Sequence, residues 1–117
     1  LVHGDLFAAN VLCSCDDDAP RCIGVIDLED AMAGPPEADL ARTEILHGPL
    51  FERSLPAGWF DLVLEGYGPG TDPQARAFFR AYHMVNMAYH EAVTCPTRHV
   101  IDLVEAAGHE IEGVAPR

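Results

Sequence analysis

The sequence predicts an α+β fold, mainly helical with one β-hairpin, and three observations carry that prediction. Two short β-rich runs, at residues 11–15 and 22–26, flank an Asp/Pro turn. Everything beyond Pro36 changes to helical periodicity, punctuated by helix start and stop signals. The chain has 117 residues, 49% of them hydrophobic, which suits one core or part of one.

The elements follow in order. Residues 3–10 form a loop that leads into the hairpin. Asp16, Asp17 and Asp18 form its turn tip; they lack the spacing of a calcium loop and are read as solvated. A first helix spans 37–47, bounded by Pro35-Pro36 and Gly48-Pro49. A second spans 59–67 and is closed by Gly68, Pro69 and Gly70. Thr71-Asp72-Pro73 starts a third, combining a capping side chain with Pro in the first turn. It runs to about Val93, with Ala75, Phe78, Phe79, Tyr82, Val85, Met87 and Tyr89 on one apolar side. Pro96-Thr97 opens a last helix, ending near Gly108, and the tail from Ile111 is expected to fray.

Charge and composition exclude several functions. Seven Arg against 19 Asp plus Glu give a formal net charge of −12, and there is no Lys. Such a chain does not grip nucleic acid, which demands basic patches, and it is repelled by an anionic membrane surface. No stretch reaches the ~18 apolar residues of a membrane span. Cys13, Cys15, Cys22 and Cys95 lack zinc-site spacing and are expected to be buried or half-buried free thiols in a reducing, cytoplasmic setting.

The chemistry concentrates in the first 41 residues. His3-Gly4-Asp5-Leu6-Phe7-Ala8-Ala9-Asn10 follows the pattern H-x-D-x-x-x-x-N. Ile26-Asp27 ends the return strand, and Gly34-Pro35-Pro36-Glu37-Ala38-Asp39-Leu40-Ala41 follows. Together these resemble the aminoglycoside phosphotransferase and choline kinase superfamily, the small-molecule branch of the protein-kinase-like fold. The resemblance implies the C-terminal lobe of such an enzyme. In it, 3–10 is the catalytic loop, 11–30 a metal-binding hairpin and 36–108 a helical acceptor subdomain.

Phosphoryl transfer explains the residue types. It needs positioning, neutralisation of oxygen charge by metal ions, and a carboxylate that orients the attacking hydroxyl. Asp5 is the candidate catalytic carboxylate. Asn10 and Asp27, brought together across the hairpin, are the candidate Mg²⁺ ligands. ATP is the implied phosphate donor. His3 is read as bracing the loop, and Asp39 as tying a helix start back to it. Glu29 and Asp30 have two readings, as helpers near the metal or as solvated loop charges. His83 and Asn86, at i and i+3 on one helix face, either line the acceptor pocket or are half-buried polar groups. Glu29, His83 and Asn86 are thus the candidate substrate-binding residues.

The acceptor is read as a small amine-bearing molecule of aminoglycoside type, suited to acidic residues such as Glu44 and Glu91. A second resemblance, to fructosamine and ketosamine kinases, rests on Glu37-Ala38-Asp39-Leu40-Ala41-Arg42-Thr43-Glu44 and on Tyr82-His83-Met84-Val85-Asn86. The chain begins Leu1-Val2-His3, without Met, which is the start expected of a fragment. The N-terminal lobe that would supply the ATP-contacting Lys is missing from it, so the fragment alone is expected to be inactive. A non-catalytic remnant of the fold is the other alternative.

Overall fold

The structure is a computed structural model that describes residues 1–15, 19–51, 55–94 and 99–114. Two strands, β1 (Val11–Ser14) and β2 (Arg21–Val25), form an antiparallel hairpin. Its register pairs Val11 with Val25 and Leu12 with Gly24, then slips to Cys13–Cys22 and Ser14–Arg21. Ile23 is therefore a bulge, which moves the observed β2 one residue back from the expected 22–26. The pairing continues past the strands through the Ile26 amide, which donates to the Asn10 carbonyl at 3.0 Å. The Asp16–Asp18 tip lies outside the described residues.

Four helices follow: α1 (Pro36–Leu46), α2 (Trp59–Tyr67), α3 (Pro73–Thr94) and α4 (His99–Val114). Single 3-10 turns at Ala8–Asn10 and Pro49–Phe51 complete the set, neither of which the sequence pattern foretells. Pro36 occupies the first turn of α1, where its missing N–H costs nothing. Asp72 caps α3, its Oδ1 accepting from the Gln74 amide at 2.8 Å. The buried Glu37 side chain on α1 accepts from the Asp72 amide at 2.8 Å, so one carboxylate fixes where α3 begins relative to α1.

The core lies where α1, α3 and α4 meet. Ile45, Met84, Ala88, Leu103 and Ala107 are buried together there. α3 buries Ala81, Met84 and Ala88, and the small Ala88 of α3 and Ala107 of α4 let the two helices approach closely. This corrects the expected apolar side of α3. Phe78, Tyr82, Val85 and Tyr89 do share a stripe, but each is at least half exposed. The buried stripe is the neighbouring one, because close helix packing selects Ala over aromatic bulk.

The end of α4 also differs from expectation. The helix passes Gly108 and runs to Val114. Gly108 has open space around it and stops nothing. Beyond it, Glu110 accepts two hydrogen bonds from Arg80 Nη2, at 2.6 and 2.7 Å, which tie the last turns to α3. Arg80 also donates to Glu44 at 2.8 Å, and Arg76 lies 3.6 Å from the same carboxylate. Burial opposes the Arg80 charge, but hydrogen bonds to Glu110 and Glu44 outweigh it and hold the guanidinium above its usual value. Glu44 thus spends one carboxylate oxygen on holding α3 to α1.

The cysteines correct a further expectation. Cys13, Cys15 and Cys22 are free as expected, but exposed on the hairpin. Cys95 lies outside the described residues. Among the described residues, no helix is long and apolar enough to cross a membrane. The hairpin side carries exposed apolar residues, including Leu12, Ile23, Val25, Ile26 and Leu28.

Candidate catalytic loop and its helical clamp

Residues 3–10 have little regular structure, so their shape must come from outside the segment. Both ends are fixed by strand-like pairing. Val2 and Met32 exchange backbone hydrogen bonds of 2.8 and 3.1 Å at one end, and Asn10 pairs with Ile26 at the other. Gly4 sits between them at φ +84°, a conformation that L side chains rarely adopt. A Cβ there would stand 2.5 Å from the Asp30 carbonyl oxygen, so glycine also permits the loop to touch the 28–31 segment.

The middle of the loop is held by one stripe of α1. Asp39 accepts from the His3 amide at 2.6 Å and from the Gly4 amide at 2.8 Å. Thr43 donates its hydroxyl to the Leu6 carbonyl at 2.5 Å. His47 Nε2 accepts from the Ala8 amide at 3.4 Å, and its Nδ1 donates to the Thr43 carbonyl at 3.0 Å. Arg42 grips the side chain of Asp5: its Nε and Nη2 approach Oδ1 at 2.8 and 2.5 Å. Positions 39, 42, 43 and 47 recur at helical spacing, so one face of α1 reads the loop residue by residue.

His3 joins the loop to the return strand. Its Nδ1 accepts from the Asp5 amide at 3.2 Å, which requires the neutral ring. That leaves Nε2–H to donate to the Ile26 carbonyl at 2.8 Å. The residue before Asp27 is thereby tied to the residue two before Asp5.

Asn10 is buried, and its amide nitrogen donates to the Asp5 carbonyl at 2.9 Å and reaches Asp5 Oδ2 at 3.4 Å. Asp27 is exposed and adopts φ +65°, unusual for a residue other than glycine. The pairing of Asn10 with Ile26 sets the Cα atoms of Asn10 and Asp27 within roughly 9 Å of each other. The structure therefore joins His3, Asp5, Asn10 and Asp39 by hydrogen bonds, and places Asp27 next to Ile26, to which both His3 and Asn10 bond.

The remaining candidates divide. Glu29 is exposed, and its neighbour Asp30 lines a cleft. That cleft, about 300 Å³, lies between the loop and α3 and is bordered by Gly4, Asp30, Arg42, Tyr82, His83 and Asn86. His83 donates from Nε2 to the Ala38 carbonyl at 3.0 Å, so its polar tip is already engaged by α1. Burial pushes the His83 imidazole below its ordinary value, and the nearby Arg42 charge adds to this. A second cleft of about 400 Å³ lies on the other side of Arg42, bordered by Asn86, His90 and Glu91. Asn86 and Arg42 face both.

Sequence reasoning missed Arg42, Thr43 and His47. Their signal was present as spacing, since each follows Asp39 by a near-whole number of helical turns. What hid them was that a loop-contacting face looks like any polar helix face.

Comparison with known proteins gives one family and one relative. The model of the phosphotransferase enzyme family matches residues 1–83. Viomycin phosphotransferase of Streptomyces vinaceus is 41% identical over 63 residues, which is 52% of this chain and 22% of that protein. The chain thus aligns with less than a quarter of that relative's length. No solved structure gives a significant match.

Proposed function

Since the chain belongs to the phosphotransferase enzyme family, we propose that it carries the catalytic loop of an ATP- and Mg²⁺-dependent kinase. That kinase acts on a hydroxyl of a small, amine-bearing acceptor of antibiotic type. The observation that carries the reading is the convergence on Asp5. Arg42 and Asn10 hold its carboxylate, and Asn10 is paired across the hairpin beside Asp27.

In this reading Asp5 accepts a hydrogen bond from the acceptor hydroxyl. It takes the proton as oxygen attacks the terminal phosphorus of ATP, the bond to the bridging oxygen breaks, and ADP leaves. The products are the phosphorylated acceptor, ADP and one proton.

The donor set suits a hard cation. Asn10 spends its NH₂ on Asp5, which leaves the amide oxygen for a metal, and Asp27 offers an exposed carboxylate nearby. Bound Mg²⁺ supplies neutralisation of phosphate oxygen charge. The relative's name adds viomycin to the aminoglycosides as an acceptor to test. Of the motifs shared with ketosamine kinases, Tyr82, His83 and Asn86 border the clefts, whereas the stretch on α1 serves the fold. Glu37, Thr43 and Glu44 all make internal hydrogen bonds that maintain the fold.

The test is steady-state ATP consumption by the intact protein with aminoglycosides, viomycin and a ketosamine as acceptors. Asp5→Asn is expected to lower turnover about 10²–10⁴-fold while nucleotide affinity holds. Asp27→Ala is expected to weaken Mg²⁺-dependent nucleotide binding and turnover together. Full turnover by Asp5→Asn would refute the role of the loop. Transfer to the ketosamine alone would reassign the acceptor and leave the mechanism standing.

A further inference from the structure

We infer that Arg42 is a positioning residue for Asp5, dedicated to the carboxylate rather than to the loop. This rests on the phosphotransferase reading above. Three of the four α1 side chains that meet the loop bond its backbone: Asp39 at His3 and Gly4, Thr43 at Leu6, His47 at Ala8. These contacts shape the loop without Arg42. Arg42 instead sends two donors to a single atom, Asp5 Oδ1.

The consequence is a division of labour between the two carboxylate oxygens. Oδ1 is saturated by the guanidinium. Among the described residues Oδ2 has only the Asn10 amide, at 3.4 Å, and is the oxygen left to accept the acceptor's proton. The side chains of Arg42 and Asp5 are 26% and 22% exposed, so water screens the pair. Its value therefore lies in orientation more than in strength. Two donors from one rigid, planar guanidinium locate Oδ1, an arrangement that the point charge of an ammonium reproduces less well. Arg42 also borders both clefts.

The test uses the intact protein with an accepted acceptor. Arg42→Gln is expected to lower kcat roughly 10- to 100-fold, the scale of a small misplacement of a reacting group, with nucleotide KM unchanged. Arg42→Lys should fall between Arg42→Gln and wild type. Added guanidinium ion should restore part of the turnover of Arg42→Ala but none of that of Asp5→Asn. In an Asp5→Asn background, Arg42→Gln should cost nothing further. Amide exchange at His3 and Gly4 should stay as slow as in wild type, because Asp39 holds them. Unchanged kcat in Arg42→Gln, or an equal loss in the Asp5→Asn background, overturns the inference. Faster exchange at His3 and Gly4 also overturns it, since Arg42 would then be shaping the loop. A wild-type protein that phosphorylates no acceptor refutes the kinase reading itself, and the Arg42 role with it.

Discussion

Asp39→Ala is the sharpest perturbation of the clamp. Its carboxylate accepts two backbone hydrogen bonds, at 2.6 and 2.8 Å, from consecutive amides of the loop. Hydrogen bonds to a charged acceptor contribute about 1.5–3 kcal/mol each, so losing both costs about 3–6 kcal/mol at most. Asp39 is partly exposed, and water can replace some of what is lost, which brings the expected figure to about 2–4 kcal/mol. Against a typical stability of about 5–15 kcal/mol this leaves a folded but weakened protein. Asp39→Asn keeps one acceptor and turns an NH₂ toward an amide donor, so it should recover little. Urea unfolding measures the total, and amide exchange at His3 and Gly4 reports the local effect. A stability loss below ~0.5 kcal/mol with both amides still protected would refute the clamp.

Two further outcomes follow from the same geometry. Gly4→Ala should cost about 2 kcal/mol or more, measured by urea unfolding, because a Cβ at φ +84° meets the Asp30 carbonyl at 2.5 Å. His83 is held neutral by burial, so its folded value lies below the ~6.5 of the unfolded chain, which binds more protons in that interval. Stability from His83 is therefore present above ~pH 6.5 and is lost as pH falls below it. His83→Asn should flatten the dependence of melting temperature on pH in that acidic range, and an unchanged slope would refute it.

Much of the site was legible because its chemistry is local in sequence. Asp5 and Asn10 are five apart in one motif, and Asp27 follows from a hairpin that turn residues announce. The boundaries of α2 and the start of α3 were equally plain, since Gly, Pro and a capping Asp mark them. The face of α3 was misjudged because periodicity shows which residues share a side but not which side is covered. Aromatic bulk at Phe78, Tyr82 and Tyr89 suggested burial, while contact with α4 favoured Ala81 and Ala88. Gly108 was misjudged as a stop because Arg80 holds the helix beyond it through Glu110, thirty residues further on. Arg42 stayed hidden for a related reason. Its partner lies 37 residues away, and no short-range pattern encodes that meeting.

That separation has a temporal consequence. Every α1 contact that shapes the loop joins residues 35–39 apart in sequence. Closing a segment of that length costs about 3 kcal/mol of chain entropy before any contact repays it. On a ribosome adding ~5–20 residues per second, the loop emerges seconds before the helix that gives it form. Until α1 has been made, His3-Gly4-Asp5 has its partners at Asn10 and Ile26 but lacks the clamp. The shape of the loop is thus completed after the loop itself, by a helix that supplies none of the proposed reacting groups.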